Sequence, residues 1–184
     1  MGEPLVLGLG NILCGDEGIG CRVAEYLHAT REYPPQVRIA DGGTMGQELL
    51  GPVMEVSSLL LIDCGDFGLK PGETMLRNNT DIPLWLGIAK MSPHQGSFSE
   101  VLALAKLKNR LPAKITLLAI QPEKLIFGEK LSATLKERLP HYASIVEEIL
   151  AKWGLEGRRR EKPEYLSDTP VALQNYEFGL PGIF

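Results

Sequence analysis

The chain has 184 residues, the length of one ordinary domain, and its hydrophobic fraction of 44% is typical of a globular protein. The net charge of -4 excludes the broad basic surface that attracts nucleic acid or anionic lipid, so we expect neither as a partner. No apolar run approaches the roughly 18 to 20 residues of a membrane helix, and the N-terminus lacks the basic region of a signal peptide, so we expect no membrane insertion.

The first strand and helix are predicted close to the N-terminus. Residues 5–9 form a short apolar run that predicts a buried strand. Asp16 can then cap a helix over about residues 17–30, because a carboxylate accepts hydrogen bonds from the free amides of a first turn. This helix is predicted to turn Arg22 and Glu25 away from a core-facing stripe of Ile19, Val23, Ala24 and Leu27.

The next elements continue the alternation of strand and helix. Residues 37–40 predict a second strand, closed by Asp41-Gly42-Gly43-Thr44, whose paired glycines permit a tight turn. A helix is predicted over about residues 45–50. Residues 59–62 are wholly aliphatic, which is typical of a central parallel strand buried on both faces, and Asp63 follows at its end.

The second half of the chain predicts one weak strand and three stronger elements. The weak strand covers residues 74–76, between two turn signals. The Ser-x-x-Glu sequence that starts at Ser97 has the form of a capping box and precedes apolar residues at helical spacing. The stronger elements are a helix over about residues 98–108, a last strand over residues 115–120 and a helix over residues 131–153. Pro140 must start, kink or divide the last helix.

The composition changes after Trp153, where glycines, prolines and the Arg158-Arg159-Arg160 run break any regular period. We therefore expect a domain over residues 1–153 and an irregular tail over residues 154–184 that lies outside the core. The last residues of the tail, 176–184, are apolar enough to dock on the domain or on a partner.

Strands that alternate with helices predict an α/β fold, a three-layer α/β/α sandwich around a mostly parallel sheet. Ligands collect at the carboxyl ends of the strands in such sheets, so the residues there are the candidates for chemistry. Asp63 ends an aliphatic strand, where a carboxylate is costly to bury unless it meets a hydrogen bond or a charge. Glu17 lies at the helix start after the first strand, and His94 lies in a loop of proline and glycine.

Glu17, Asp63 and His94 together offer two carboxylates and one imidazole, a nitrogen and oxygen set that suits a divalent transition metal. Each residue has an ordinary structural alternative, because acidic residues complement the dipole at a helix start and loop histidines commonly pack or face solvent. We prefer the structural role for Asp16, whereas Glu17 stays open between the two roles.

Other common catalytic and cofactor motifs are missing from the sequence. The glycine fingerprint for NAD fails because Leu13 stands where a third glycine is needed, and no Gly-Lys-Ser/Thr follows for a phosphate loop. Neither Gly-x-Ser-x-Gly nor His-Glu-x-x-His occurs, and Ser97 is better explained as a helix cap. Cys14, Cys21 and Cys64 form no Cys-x-x-Cys pair, so we interpret them as reduced, buried thiols of a cytoplasmic protein.

Four motifs in one order carry a resemblance to a known family. They are Gly8-Leu-Gly-Asn-Ile-Leu-Cys-Gly-Asp-Glu-Gly-Ile-Gly20, Asp41-Gly-Gly-Thr44, Leu61-Ile-Asp63 and Ser92-Pro-His-Gln95. With these motifs the chain closely resembles the hydrogenase maturation endopeptidases over about residues 5–153. The resemblance implies a five-stranded sheet with helices on both faces, and it implies that Glu17, Asp63 and His94 are catalytic and interact with a metal.

Members of that family remove a C-terminal extension from the large-subunit precursor of a nickel-iron hydrogenase once nickel has been inserted. The cut follows a His or Arg after the precursor's last metal-binding cysteine motif. The resemblance thus implies nickel carried by the substrate, no organic cofactor, and a hydrogenase precursor as partner. The protein would use such a nickel ion to distinguish a loaded precursor from an empty one. The ion can also polarise the scissile carbonyl for attack, and water is the expected nucleophile. Asp41, Gly42, Gly43 and Thr44 are then expected to form part of the substrate crevice.

Two alternatives for the function remain open at this point. A metal-sensing chaperone or binding module would use the same residues and recognise the same precursor without cutting it. A nucleotide-binding oxidoreductase is disfavoured by Leu13. The protease and the binding module therefore differ only in whether the precursor is cleaved.

Overall fold

The computed structural model describes residues 3–78, 82 and 93–166, and for residues 93–97 it describes only the backbone. Its strands are β1 Pro4–Leu9, β2 Arg31–Glu32, β3 Arg38–Gly43, β4 Ser58–Cys64, β5 Thr74–Asn78, β6 Lys114–Ile120 and β7 Arg158–Arg159. Its helices are α1 Ile19–Thr30, α2 Leu50–Glu55, α3 Pro93–Leu107, α4 Ala133–Glu137 and α5 Leu139–Lys152. Within the same ranges, the 3₁₀ turns Gly15–Gly18 and Gly46–Leu49 lead into α1 and α2.

The main sheet has five strands in the described ranges, in the order β3-β1-β4-β6-β5. The pairs β3 with β1, β1 with β4 and β4 with β6 are parallel, whereas β5 runs antiparallel to β6 at one edge. The central strand β4 keeps an unbroken register with β6 from Ser58 opposite Lys114 to Cys64 opposite Ile120. The prediction of a five-stranded, mostly parallel sheet is confirmed.

Helices cover both faces of this sheet, as the residues of β4 demonstrate. Leu59 and Leu61 belong to a buried cluster with side chains of α2 and α3. Leu60 and Ile62 belong to a second buried cluster with side chains of α1, α4 and α5. A strand buried on both faces explains why the run is uninterrupted by polar residues. The predicted three-layer α/β/α sandwich is therefore confirmed.

Two predicted boundaries near the first motifs are wrong. Asp16 does not cap α1, because that helix begins at Ile19 and has no side-chain cap. β3 continues through Gly43, so the turn predicted at residues 41–44 begins one residue later, where the Met45 amide donates to the Gly42 carbonyl oxygen at 3.1 Å. The register with β1 shifts just before Gly43, which lets the extra residue fit without ending the pairing.

Two helices in the second half also differ from their predicted form. α3 begins at Pro93 rather than near Phe98, because proline is tolerated in the first helical turn. His94 therefore belongs to the first turn of a helix and not to a preceding loop. Pro140 stands at the start of α5, so it divides the segment predicted over residues 131–153 into two helices.

Arg22 and Glu25 of α1 are buried, although the helical pattern predicted that they face away from the core. They are 2% and 1% exposed. The Arg22 guanidinium donates hydrogen bonds to the carbonyl oxygens of Ile12 at 3.1 Å and Gly15 at 3.3 Å. The Glu25 carboxylate accepts one from the amide of Leu166 at 3.2 Å. Both charged groups accordingly form hydrogen bonds with backbone groups outside their own helix.

The segment after Trp153 lies against α1 for as far as it is described. β7 pairs antiparallel with β2, and the Arg160 side chain donates to the carbonyl oxygens of His28 and Arg31 at 2.9 and 3.0 Å. Leu155 packs against the cluster beneath α1. The docking predicted for residues 176–184 lies outside the described residues. Among the residues that are described, no helix has the length and apolar character needed to cross a membrane.

Candidate functional site

The carboxyl edge of the parallel strands brings two of the three predicted residues together. The turn Gly15–Gly18, which carries Glu17, packs against β4, which carries Asp63 near its end. A Cβ atom on Gly20 would lie 2.2 Å from the Ile62 carbonyl oxygen, and one on Gly10 would lie 1.8 Å from that of Glu17. The glycines of the first motif therefore permit the close approach that sets Glu17 beside the sheet.

Glu17 is buried, and one of its two carboxylate oxygens has no hydrogen-bond partner. The residue is 5% exposed, and within the described part of the chain nothing donates to its Oε1 atom. A buried carboxylate oxygen without a partner is costly, and such groups are retained where a ligand or a metal ion completes them. The structure thus leaves one carboxylate oxygen of Glu17 unsatisfied among the described groups, and the role of Glu17 stays a prediction.

Asp63 lies near the carboxyl end of β4, opposite Ala119 of β6, and is 3% exposed. Its Oδ1 atom accepts a hydrogen bond of 2.8 Å from the amide of the next residue, Cys64. This local bond holds the carboxylate at the end of its strand, in the layer that ligands approach in parallel sheets. Asp63 therefore stands where the sequence predicted it.

Burial and nearby carboxylates raise the pKa of two thiols at this edge. Burial raises the pKa of the Cys64 thiol well above its ordinary value, and the charges of Asp63 and Glu17 raise it further. Burial also raises the pKa of Cys14, and the charge of Glu17 and a hydrogen bond with it act in the same direction. Both carboxylates therefore contribute to the raised pKa of Cys64. Both thiols are protonated at neutral pH, which argues against a thiolate nucleophile.

Asp16 is fully buried, and its carboxylate accepts hydrogen bonds from both ends of the loop that joins β6 to α4. Its Oδ2 atom accepts from the amides of Glu123 at 2.9 Å and Lys124 at 3.1 Å, and its Oδ1 atom accepts from the amide of Ser132 at 2.7 Å. Asp16 thus has a structural role, but not the predicted one at a helix start, because its partners lie in a distant loop. No local sequence signal could reveal them, since they follow more than 100 residues later.

The predicted crevice residues line a pocket beside the first motif. Asp41, Gly42, Gly43 and Thr44 border a cavity of about 180 Å³, opposite the loop of Asn11, Ile12 and Leu13. The Gly10 amide donates to the Gly43 carbonyl oxygen at 3.0 Å, and the Gly43 amide donates to Asp41 Oδ1 at 2.8 Å, so backbone and the Asp41 side chain hold this wall in place. Substrate binding in this cavity stays a prediction.

His94 lies near the amino end of α3, and its side chain is outside the described atoms. Because α3 leads into the amino end of β6, its own amino end is directed towards the carboxyl edge of the sheet. Among the side chains that are described, no three His, Cys, Asp or Glu residues form a metal-binding group. The structure thus locates Glu17 and Asp63 at this edge, and the metal-binding triplet that they would form with His94 stays a prediction.

Comparison with known proteins finds related sequences over most of the chain. A family model, HycI, described as hydrogenase maturation protease, matches residues 21–149. HoxM of Azotobacter vinelandii, a hydrogenase expression/formation protein, is 37% identical over 179 residues, which cover 96% of this chain and 86% of HoxM. The hydrogenase 2 maturation protease of Escherichia coli (strain K12) is 35% identical over 158 residues, which cover 85% of this chain and 96% of that protein.

Solved structures share the same fold. The hydrogenase maturating endopeptidase HybD from E. coli matches with a TM-score of 0.82 and 34% sequence identity, covering 86% of this chain and 98% of HybD. The [NiFe] hydrogenase maturation protease HycI from Thermococcus kodakarensis KOD1 matches with a TM-score of 0.65 and 27% identity, covering 81% of this chain and 92% of that one. The similarity therefore extends to sequence and to fold over most of the chain.

Proposed function

The chain belongs to the hydrogenase maturation protease family, and from that premise we propose that it removes the C-terminal extension of a nickel-iron hydrogenase large-subunit precursor after nickel insertion. One observation carries the nickel-dependent part of this proposal. Glu17 holds a buried carboxylate oxygen that no described group satisfies, on a turn packed against the strand of Asp63.

The two carboxylates suit the proposed recognition of nickel in the substrate. Oxygen and imidazole ligands bind divalent first-row metals, so Glu17 and Asp63, with His94 as the predicted third ligand, are suited to contact a nickel ion held by the precursor's thiolates. A precursor without nickel would bring no cation to the negative charge that Glu17 and Asp63 place around Cys64. The protein would therefore bind the loaded precursor more tightly than the empty one.

Cleavage requires a nucleophile and a polarised carbonyl group. The thiols of Cys14 and Cys64 are protonated at neutral pH, so water is the proposed nucleophile. The substrate's nickel ion can act as a Lewis acid on the scissile carbonyl. In this proposal the protein's carboxylates hold the loaded segment in place, and the cavity of Asp41–Thr44 receives the peptide beside it.

The test compares purified protein with nickel-loaded and nickel-free precursor, and follows the loss of the extension by mass spectrometry. We expect cleavage of the loaded precursor alone. Single substitutions of Glu17, Asp63 and His94 by Ala should abolish cleavage while the far-ultraviolet circular dichroism stays unchanged. Equal cleavage of both precursors would contradict nickel recognition, and binding of the loaded precursor without cleavage would favour the non-cleaving module.

A further inference from the structure

Two exposed apolar side chains lie in the loop that is attached to the Glu17 turn. In the part of the chain that is described, the exposed large apolar residues are Met45, Leu76, Leu107, Ile126 and Phe127. Ile126 and Phe127 are neighbours in the loop after β6, and Phe127 is 77% exposed. Met45 follows β3 and lines the cavity of Asp41–Thr44. Single exposed apolar residues are ordinary, but a pair at the edge that carries the candidate site is informative.

The loop that carries Ile126 and Phe127 is held firmly by the first motif. The Gly128 amide donates to the Leu13 carbonyl oxygen at 2.7 Å, and the Gly15 amide donates to the Glu129 carbonyl oxygen at 3.1 Å. The Glu129 amide closes a turn on the Ile126 carbonyl oxygen at 3.2 Å, with Gly128 at a φ of 82° that favours glycine. The two apolar side chains are therefore exposed on a fixed turn.

Asp16 binds the same loop at both of its ends. Its carboxylate accepts the amides of Glu123 and Lys124 at the loop's start and the amide of Ser132 at its end. An ion pair between Lys124 and Glu129 closes the loop across its base. The buried aspartate next to Glu17 thus fixes the position of Phe127 relative to the candidate site, as preorganised binding surfaces require.

Apolar side chains also line the cavity of Asp41–Thr44. Leu13, which accepts the hydrogen bond of Gly128, lines the cavity together with Ile12 and Met45. The loop of Ile126 and Phe127 is therefore joined, through Leu13, to the wall of this cavity. An extended peptide places side chains on alternate sides about every 3.3 Å, so it can contact the loop and the cavity along its length.

We propose that Ile126 and Phe127 form a docking surface for an extended, apolar segment of the hydrogenase precursor that flanks the scissile bond. This inference rests on the proposed function, because the occupant is that function's substrate. Affinity for the precursor would then depend also on a surface that contacts no metal and takes no part in the chemistry.

The test measures steady-state cleavage of the nickel-loaded precursor by Phe127→Ser and by a matched control, Leu107→Ser. Leu107 is 78% exposed, close to the 77% of Phe127, but it ends α3 at the opposite edge of the sheet. We expect Phe127→Ser to raise KM roughly tenfold, as loss of one buried aromatic contact would, with kcat unchanged. Leu107→Ser should leave both parameters unchanged, and Phe127→Leu should restore most of the affinity.

Each other outcome overturns the inference in a recognisable way. If wild-type protein cleaves the loaded precursor and Phe127→Ser has the same KM, the docking surface is wrong while the proposed function stands. If wild-type protein neither binds nor cleaves that precursor, the proposed function fails and the docking inference fails with it. If Phe127→Ser instead converts a dimer into a monomer at unchanged KM, as measured by sedimentation, the surface binds a second copy of this chain.

Discussion

Asp16 accepts a hydrogen bond of 2.7 Å from the amide of Ser132, a residue 116 positions later in the chain. The neighbouring residue Glu17 carries a buried Oε1 atom with no partner among the described groups. Two adjacent carboxylates therefore have opposite uses. One is satisfied by backbone and fixes the architecture of the edge, and the other is available to a ligand.

The first prediction concerns Asp16→Ala. The substitution removes the acceptor of three amide hydrogen bonds and leaves the amide of Ser132 buried without it. Hydrogen bonds to charged groups contribute about 1.5–3 kcal/mol each and are not additive, so we expect the free energy of unfolding to fall by about 3 kcal/mol or more. Urea denaturation measures this change. Asp16→Asn keeps one acceptor oxygen and should lose less, whereas a loss below about 1 kcal/mol for the alanine variant would contradict the assigned role.

The second prediction concerns the close packing at Gly20. In Gly20→Ala the new Cβ atom would lie 2.2 Å from the Ile62 carbonyl oxygen and 2.4 Å from that of Leu9, so backbone must shift. We expect a loss of about 3 kcal/mol or more in the free energy of unfolding, together with loss of precursor cleavage, because the turn with Glu17 moves.

Gly51→Ala in α2 is the matched control for Gly20→Ala. A Cβ atom at Gly51 would meet nothing within 4 Å. Since alanine favours a helix over glycine, we expect a gain of up to about 1 kcal/mol and unchanged cleavage. Equal stability of the two variants would show that the glycine motif serves something other than close packing.

The sequence predicts well what neighbouring residues determine. The aliphatic run before Asp63 identified a strand buried on both faces, because such burial needs only an unbroken series of apolar side chains. Glu17 and Asp63 were correctly expected at the carboxyl edge, because parallel strands and their loops converge there. Their functional grouping with His94 came from the resemblance and not from spacing.

The sequence fails where the partner of a residue lies far along the chain. The helical pattern predicts that Glu25 faces solvent, yet its carboxylate accepts a hydrogen bond from the amide of Leu166, which is 141 residues away. The prediction for Arg22 fails for a related reason, since its guanidinium donates to the carbonyl oxygens of Ile12 and Gly15, which precede its helix. Likewise, the exposure of Phe127 on a fixed turn depends on Asp16, more than 100 residues earlier. Periodicity contains no information about such contacts.

The third prediction concerns stability at high pH. Burial raises the pKa of the Tyr142 hydroxyl from 10.0 to about 12, and this hydroxyl donates a hydrogen bond of 3.0 Å to the Gly72 carbonyl oxygen. A raised pKa in the folded state means that folding favours the protonated form. The contribution is therefore fully present below about pH 10 and is lost as pH rises towards about 12, by up to about 2 to 3 kcal/mol.

Tyr142→Phe separates this contribution from other alkaline effects. The Gly72 carbonyl oxygen keeps its bond from the Arg138 side chain at 3.1 Å, so at neutral pH we expect a loss below about 1.5 kcal/mol. Burial also raises the pKa of Tyr33, so some alkaline destabilisation should persist in the variant. Urea denaturation from pH 7 to pH 11 should show the difference between wild type and variant shrinking with pH. A constant difference would contradict the assigned titration.

The last prediction concerns Glu17→Gln, which removes the charge and keeps the size of the side chain. The buried carboxylate has one oxygen without a partner among the described groups, so its charge opposes folding, and we expect the variant to be as stable as wild type or more stable by about 1 kcal/mol. Cleavage of the loaded precursor should fall at least about 100-fold, because a neutral amide is a poor ligand for a divalent metal.

The two measurements on Glu17→Gln together distinguish a functional carboxylate from a structural one. Glu55, which is exposed at the end of α2, provides the control, and Glu55→Gln should change neither stability nor cleavage. The Cys14 thiol provides an independent readout, since the negative charge of Glu17 raises its pKa, and alkylation of Cys14 should therefore proceed at lower pH in the Glu17→Gln variant. A large loss of stability with unchanged cleavage would identify Glu17 as a structural residue. The unsatisfied Oε1 atom argues against that outcome, because a carboxylate that only supports the fold would be expected to have partners for both of its oxygens.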